Sequence, residues 1–315
     1  MIEVFYNNKG QVDISQSTEI LKTITREEAV WLDLFDPTGD EKRAVEDFLD
    51  TNLQSRAQAE EIESSSRYSE TEGSIFINTN FLIPGPENYS MESVSFIITG
   101  NTITSIRQVP LRSFTDIQRR LQFNRKLYPT GFHILIGILE NRIDLDADMI
   151  ELMSKEIGQY SKRVSLGEDV GEDFLLDINQ LQENTMLVRE NVVDKQRMIS
   201  SILKSPKLPK GVQGKLNILL KDISSLINHT NFGFERLEYL QNTVLGLINL
   251  EQNKMMKVFT LVSLLLMPPT LIASIYGMNI KLPLVGGNWD MLVVGGVMVV
   301  TVLVSIIIFR KRRMM

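Results

Sequence analysis

VFTLVSLLLMPPTLIASIY (Val258–Tyr276) and MLVVGGVMVVTVLVSIIIF (Met291–Phe309) are two apolar runs separated by a short connection. Each run has 19 residues without a charged side chain, close to the roughly 20 that cross a bilayer as a helix. The core helix of a water-soluble protein is seldom apolar on every side over such a length. The two runs therefore predict two transmembrane helices near the end of the chain.

The charges beside these runs predict their orientation. A basic tail, Arg310–Arg313, follows the second run, and Lys254 and Lys257 precede the first. The connecting loop, Gly277–Asp290, holds one lysine and one aspartate. Because basic flanks favour the cytoplasmic side, we expect both termini in the cytoplasm, the loop outside, and Trp289 at the outer membrane interface.

The part of the chain before the first run is acidic. Residues 1–250 hold 26 Lys/Arg and 37 Asp/Glu, a formal charge of −11. Such a field repels nucleic acid and attracts cations, although many ordinary domains are also acidic. We therefore expect no nucleic-acid partner.

The absence of cysteine excludes disulfides and thiolate metal sites, and the N-terminus MIEVFYNNKG does not resemble a cleaved signal.

Residues 1–125 alternate strand and helix patterns, which predicts a small α/β domain. β-branched and aromatic residues between turn formers indicate the strands, and apolar residues three and four apart indicate the helices. The predicted strands are Met1–Tyr6, Ala29–Phe35, Gly73–Leu82, Val94–Ile98 and Ile103–Arg107, and the predicted helices are Asp40–Leu53 and Leu111–Arg125.

Long helical patterns follow from Pro129 onward. Gly131–Ser165 and Glu172–Leu203 are predicted to form an antiparallel pair, which the proline-rich segment Ser205–Pro209 ends. The pattern from Val212 to Tyr276 predicts one helix of about 65 residues, roughly 100 Å long at 1.5 Å per residue. A helix of that length needs neighbours, which indicates a bundle or an oligomer.

The predicted fold class is thus an α+β cytoplasmic domain followed by long helices and two C-terminal transmembrane helices. The predicted segments are the α/β domain (1–125), the helical pair (126–209), a stalk helix (210–276) that becomes the first span at about 258, the external loop (277–290), the second span (291–309) and the basic cytoplasmic tail (310–315).

Steps alternating between three and four residues select one line of residues on the long helix, which we call the stripe. A 3-4 alternation keeps residues on one face of a helix that neighbours wrap as in a coiled coil. The stripe consists of Asn242, Gly246, Asn249, Asn253, Met256, Thr260, Ser263, Met267, Thr270 and Ser274.

Polar side chains in a membrane span normally face protein or water. A hydroxyl can also bond back to its own helix or help helices to pack, and that alternative stays open for each residue alone. For the stripe as a whole we favour a pore. Two spans cannot enclose a pore, so several copies must surround it. The stripe is uncharged, and Mg²⁺ loses its water reluctantly, so the ion would pass hydrated.

The stretch MPPTLIASIYGMN (Met267–Asn279) resembles the CorA magnesium/cobalt transporter family, in its proteobacterial-type branch. A Gly-Met-Asn triplet alone is weak evidence for this family. Its position after a proline-containing span and before a final span with a basic tail makes the resemblance specific. Further similar stretches are Ile248–Lys257, Ala29–Leu34, Ala59–Glu63 and Ile218–Ile223. The resemblance implies a funnel-shaped homopentamer in the bacterial inner membrane, with the first span lining its axis.

The resemblance also implies roles for individual residues. Gly277, Met278 and Asn279 would form the external selectivity filter, and Met256 and Phe259 the gate. The resemblance places Asn253, Met256, Met267 and Thr270 along the pore below the filter. With the stripe, the predicted pore-lining residues are Asn249, Asn253, Met256, Thr260, Ser263, Met267, Thr270 and Ser274. Glu61 and Asp222 would bind regulatory Mg²⁺ between subunits and close the channel; the alternative is that both are ordinary solvated helix acids.

One departure from the family pattern concerns the external loop. Family members usually continue with an acidic Met-Pro-Glu-Leu sequence, whereas Ile280–Asp290 lacks that glutamate and contains Lys281. Selectivity among Mg²⁺, Co²⁺, Ni²⁺ and Zn²⁺ is therefore open. A zinc-type transporter of the same superfamily is one alternative, and a membrane-anchored sensor protein is another.

The sequence contains no nucleotide-binding phosphate loop. We therefore expect passive transport driven by the membrane potential, no enzymatic activity and no organic cofactor, with Mg²⁺ as the cargo and regulator.

His133 and His229 are interpreted as packed or surface helix residues. An acidic run is interpreted as a solvated helix face: Glu140, Asp144, Asp146, Asp148 and Glu151.

Overall fold

The computed structural model of the chain describes residues 1–54, 67–85, 88–167, 171–278 and 289–311. The contacts within it divide the chain into two compact units, Met1–Gln241 (unit 1) and Asn242–Met315 (unit 2). The boundary falls inside one continuous helix. This division is coarser than the six predicted segments, whose boundaries stay a prediction.

Unit 1 contains a seven-stranded sheet with the order β2-β1-β3-β7-β6-β5-β4. Neighbouring strands are antiparallel except for the parallel pair β3 and β7. The strands are β1 Ile2–Asn8, β2 Gln11–Ser15, β3 Ala29–Phe35, β4 Tyr68–Glu70, β5 Ser74–Ile83, β6 Ser90–Thr99 and β7 Thr102–Arg107. The predicted strands are confirmed within a few residues, and the edge strands β2 and β4 were not predicted.

The helices of the described chain agree closely with the predicted ones. They are α1 Gly39–Leu49, α2 Arg112–Phe123, α3 Gly131–Leu166, α4 Glu172–Ile202, α5 Val212–Tyr276 and α6 Asp290–Lys311. Two short 3₁₀ turns, Thr18–Lys22 and Arg125–Leu127, complete the described elements. A capping box between Thr38 and Glu41 starts α1, and Gly167, with φ 68°, ends α3.

The sheet buries both of its faces because side chains alternate along each strand. On one face, Val4 and Leu32 pack with Val45 of α1 in a common core cluster. On the other face, the Phe5 and Trp31 rings stack with centroids 5.1 Å apart, and Phe114 of α2 follows at 5.9 Å. The aromatic layer therefore joins α2 to the sheet.

A buried ion pair completes this second face. Asp33, 1% exposed, accepts hydrogen bonds from Ser105 Oγ (2.6 Å) and Arg107 Nη2 (2.8 Å). The Arg107 guanidinium also lies 4.9 Å from the centres of the Phe35 and Phe114 rings. These contacts fix the parallel strands β3 and β7 side by side.

Unit 2 consists of the second part of α5 and of α6. Both helices are long and apolar enough to cross a membrane. Pro268 and Pro269 lie inside α5 without ending it. The predicted single helix from Val212 to Tyr276 is therefore confirmed over its full length, and α6 extends slightly beyond the predicted second span.

Candidate functional site

In unit 2, one face of α5 is partly covered. Leu261, Leu265, Pro268, Pro269 and Ile272 lie on this face and are half-buried. A similar face of α6 consists of residues spaced mostly three and four apart: Val294, Gly295, Met298, Thr301, Val302, Ser305, Ile306 and Phe309. Each helix therefore has one partly covered side and one open side within a single copy of the chain.

The stripe runs along the open side of α5. At 3.6 residues per turn, Met267 and Thr270 lie on the side of the helix opposite Leu265. The predicted pore-lining residues are all exposed: Asn249, Asn253, Met256, Thr260, Ser263, Met267, Thr270 and Ser274. The structure thus separates the polar face of the helix from the face that packs within one chain.

Two hydroxyl groups of the stripe donate to their own helix. Thr260 Oγ1 donates to the Met256 carbonyl and Thr270 Oγ1 to the Leu266 carbonyl, each at 2.7 Å. This is the local bonding that the sequence left open as an alternative. After donating its proton, each hydroxyl can still accept hydrogen bonds, because its oxygen has two lone pairs. Both oxygens therefore remain acceptors on the open side of α5.

The two prolines of α5 add further acceptors. A proline has no N–H, so Pro268 and Pro269 offer no backbone donor to the carbonyls of Leu264 and Leu265, four residues earlier. Carbonyls freed in this way within a membrane need other donors, such as side chains or water. The middle of the first apolar run therefore combines hydroxyl and carbonyl oxygens without any charged group.

The predicted selectivity filter begins where α5 ends. The Gly277 N–H donates to the Ala273 carbonyl (2.9 Å) and the Met278 N–H to the Ile275 carbonyl (3.3 Å). A methyl group added at Gly277 would lie 3.2 Å from the Ala273 carbonyl oxygen, so the close turn favours glycine. Asn279, the third residue of the predicted filter, lies outside the described residues.

The two predicted gate residues are both exposed in one chain. Phe259 is 71% exposed and Met256 is 60% exposed. Phe259 follows Met256 by three residues, which places it about 60° around the helix from the stripe. A constriction formed by these side chains needs the same residues of other copies, so their role as a gate stays a prediction.

The predicted regulatory pair is only partly described. Asp222 is exposed on α5 within unit 1, and Glu61 lies outside the described residues. Over the described part of the chain, no group of three or more His, Asp or Glu side chains is placed to hold a metal ion. The regulatory role of Glu61 and Asp222 therefore remains a prediction.

The interpretation of Asp146 as part of a solvated acidic face is wrong. Asp146 is 0% exposed and pairs with Arg142 (2.5 Å) and Lys195 (3.3 Å). The spacing of Arg142 and Asp146 by four residues was a signal for that pair. The third member lies on α4, and its pairing depends on how α3 and α4 pack. Sequence reasoning therefore missed this cluster.

The two apolar helices and the unit before them define a class of protein. It is a class of membrane proteins in which a large α/β unit and long helices precede two C-terminal spans. The chain belongs to the CorA-like Mg²⁺ transporter family, whose model matches residues 26–311. The predicted family is thus confirmed over most of the chain.

Curated relatives cover nearly the whole chain. The chain is 33% identical over 320 residues to the magnesium transport protein CorA of Wolinella succinogenes, with 99% of each sequence covered. It is also 33% identical over 295 residues to the magnesium transport protein CorA of a Campylobacter jejuni strain, with 90% of each covered. The full architecture is therefore shared with these relatives.

Solved structures support the same fold. The complete structure of the CorA magnesium transporter from Methanocaldococcus jannaschii has a TM-score of 0.81 at 18% identity, covering 99% of this chain and 98% of that one. The full-length CmaX protein has a TM-score of 0.75 at 15% identity, covering 99% and 97%. The predicted fold class, an α/β domain with long helices and two C-terminal apolar helices, is confirmed.

Proposed function

We propose that this chain is a subunit of a passive Mg²⁺ channel whose pathway is lined by the stripe of α5. The observation that carries the proposal is the exposure of the whole uncharged stripe, which within the first apolar run lies opposite the partly covered face of α5. The curated relatives are magnesium transport proteins, which agrees with this assignment.

The chemistry of the stripe suits a hydrated cation. A Mg²⁺ ion holds its water strongly and usually keeps several water molecules when bound. The outer hydrogens of those waters need acceptors, and the Thr260 and Thr270 oxygens retain free lone pairs because their protons are bonded to the helix. An uncharged lining binds the ion weakly enough to release it, which conduction requires.

The uncovered polar face of α5 favours association of several copies of the chain. One copy presents α5 with its polar side uncovered, and two spans cannot surround an aqueous path. Several copies placed with their stripes toward a common axis would satisfy the polar groups and leave the packed faces outward. We propose five copies, a homopentamer, because the family resemblance implies that number. The spans would lie in a bacterial inner membrane with both termini in the cytoplasm.

The driving force is the membrane potential in this proposal. Each elementary charge moving inward gains about 2.3 kcal/mol per 100 mV, so a divalent ion gains about 4.6 kcal/mol. Import therefore needs no nucleotide hydrolysis. Gly277, Met278 and Asn279 would select the ion at the outer end, and Phe259 and Met256 would close the path by excluding water.

The test of this function is ion uptake into proteoliposomes that contain the full chain. We expect uptake of Mg²⁺ and Co²⁺, and weaker uptake of Ni²⁺. Asn279→Ala should abolish uptake, because it removes the side-chain amide of the proposed filter. Asn288→Ala, in the same loop, is the matched control and should leave uptake unchanged.

Each contrary result has a definite meaning. Uptake confined to Zn²⁺ would replace the Mg²⁺ channel with a zinc-type transporter. A folded preparation that passes no divalent cation would favour a membrane-anchored sensor. Full uptake by Asn279→Ala would remove this residue from the filter.

Regulation by internal Mg²⁺ is a separate part of the proposal. Binding between acidic residues of neighbouring subunits would neutralise like charges and bias the assembly toward a closed state. Glu61→Lys or Asp222→Lys supplies a fixed charge of the opposite sign, so uptake should persist at millimolar internal Mg²⁺. Inhibition equal to that of the unsubstituted chain would exclude both residues as the sensor.

A further inference from the structure

A cluster of charged side chains is buried where β5 meets α3 and α4. Lys195 and Asp146 are 0% exposed and Arg142 is 5% exposed. Lys195 Nζ donates to the Asn80 carbonyl on β5 (3.0 Å) and to Asn191 Oδ1 (2.5 Å). The cluster therefore ties one strand of the sheet to both helices.

The charges in this cluster do not balance. Among the described residues, Asp146 is the single carboxylate in contact, and it is shared by Arg142 (2.5 Å) and Lys195 (3.3 Å). Both cations also lie over the Phe81 ring, at 5.6 Å for the Arg142 guanidinium and 5.5 Å for Lys195 Nζ. A ring face attracts cations but carries no net charge. One buried positive charge is therefore left without a counter-ion in direct contact.

The charged groups around the cluster in the described ranges do not supply that counter-ion. Asp194, the neighbour of Lys195 on α4, pairs with Arg67 at 3.3 Å, so its charge is already compensated. β5 contributes the Asn80 carbonyl and the Phe81 ring, and α4 contributes the Asn191 amide, none of which is charged. An unbalanced buried charge costs free energy. Arginine keeps its proton in proteins, so Lys195 is the group that can lose one.

We propose that Arg142, Asp146 and Lys195 form a proton-sensitive clamp between β5 and the helices α3 and α4. With Lys195 protonated, the ammonium contacts the Asn80 carbonyl, Asn191 Oδ1 and Asp146, but the clamp holds one excess buried positive charge, which costs free energy in the folded state. When Lys195 loses its proton, the neutral amine has two N–H donors for the Asn80 carbonyl and Asn191 Oδ1, Asp146 pairs with Arg142 alone, and that cost is removed. The joint between the sheet and the helices then tightens. This device is independent of the proposed transport function.

The direction of titration agrees with the geometry. Burial has the largest effect on Lys195 and lowers its pKa from 10.5 to about 8; Asp146 opposes this change, Arg142 adds to it, and Asp194 opposes it. The folded state then binds fewer protons than the unfolded state between these two values. Stability therefore rises with pH from about 8 upward, by as much as about tenfold in the folding constant per pH unit.

Unfolding of the full chain in urea tests the clamp. The chain has two tryptophans, and in a Trp289→Phe background the fluorescence reports Trp31, which is 0% exposed in the core of unit 1. We expect the urea midpoint to rise between about pH 7.5 and about pH 9.5. Lys195→Met should abolish the rise, and Lys162→Met, at an exposed position of α3, should retain it.

A second measurement needs no substitution at the clamp. Hydrogen exchange of the unsubstituted chain, corrected for the intrinsic effect of pH, gives the opening constant of segments from β5 and α4. We expect the opening constant to fall over the same pH range. A midpoint and an opening constant that do not change with pH, or a Lys195→Met chain with the same rise as its parent, would overturn the proposal.

Discussion

Polar side chains differ in burial and charge between unit 1 and the α5 stripe of unit 2. In unit 1, charged residues such as Asp33 and Asp146 are buried and meet cations directly. Along the stripe, the side chains are uncharged and exposed, and two hydroxyls bond only to their own helix. The first arrangement holds elements of one chain together. The second leaves acceptors available for water or other copies, so polarity stabilises the fold in one region and, in the proposed function, lines the ion path in the other.

The largest effect is expected from breaking a buried pair. Asp146→Ala leaves Arg142 and Lys195 buried without their shared carboxylate, and removing one partner of such a cluster costs about 3–5 kcal/mol. Urea unfolding of the full chain in the Trp289→Phe background, followed by Trp31 fluorescence, measures the loss. Asp144→Ala, at an exposed position of the same helix, is the control and should cost less than about 0.5 kcal/mol. Equal losses in both variants would contradict the role of the cluster.

A smaller effect, on transport rather than stability, is expected in the stripe. Thr270→Val keeps the shape of the side chain and removes the acceptor oxygen, worth about 1 kcal/mol per hydrogen bond. Mg²⁺ uptake should fall about fivefold or more, since several copies lose the same group, while the urea midpoint of unit 1 stays the same.

The control for this substitution is Thr301→Val. The Thr301 hydroxyl also bonds to its own helix, donating to the Met298 carbonyl (2.8 Å), but it lies on the partly covered face of α6. Its loss should leave uptake unchanged. If both valine variants conduct alike, the open face of α5 is not the ion path.

The smallest effect is expected at the end of α5. Gly277→Ala places a methyl group 3.2 Å from the Ala273 carbonyl oxygen, so the last turn must shift by a few tenths of an ångström at a cost of about 1 kcal/mol. Uptake should fall a few-fold without being lost. Gly296→Ala meets open space within the chain and should leave uptake unchanged. Complete loss of uptake in Gly277→Ala would show that Gly277 contributes more to the proposed filter than its close approach to the Ala273 carbonyl explains.

Local patterns were sufficient to predict the long elements. The run from Val212 to Tyr276 has no strong helix breaker before Pro268, and its helix bounds were predicted correctly. β3, Ala29–Phe35, was also predicted at its observed bounds, because consecutive apolar residues indicate a strand buried on both faces. Where the hydrophobic pattern is continuous, the secondary structure can be predicted from the local sequence without knowing which elements pack against it.

The elements that were missed depend on their partners. β4 has three residues, Tyr68–Glu70, and is ordered by pairing with β5. β2, Gln11–Ser15, is polar and pairs with β1 across a turn in which Lys9 and Gly10 have positive φ. β2 does alternate Val12 and Ile14 with polar residues after the turn, a short strand signal that the prediction missed, whereas the three residues of β4 are too few to show a pattern.

The order of residues by itself determined the two apolar helices, the uncharged stripe along the first of them and the acidic front of the chain, because side-chain type and spacing along one helix are local properties. Tertiary structure alone decided which charges are buried. Asp146 and Asp144 are two residues apart in one helix, yet one is enclosed by α4 and β5 and the other is exposed. The physical reason is that burial depends on the neighbour that covers a side chain, and the position of that neighbour is a property of the whole fold.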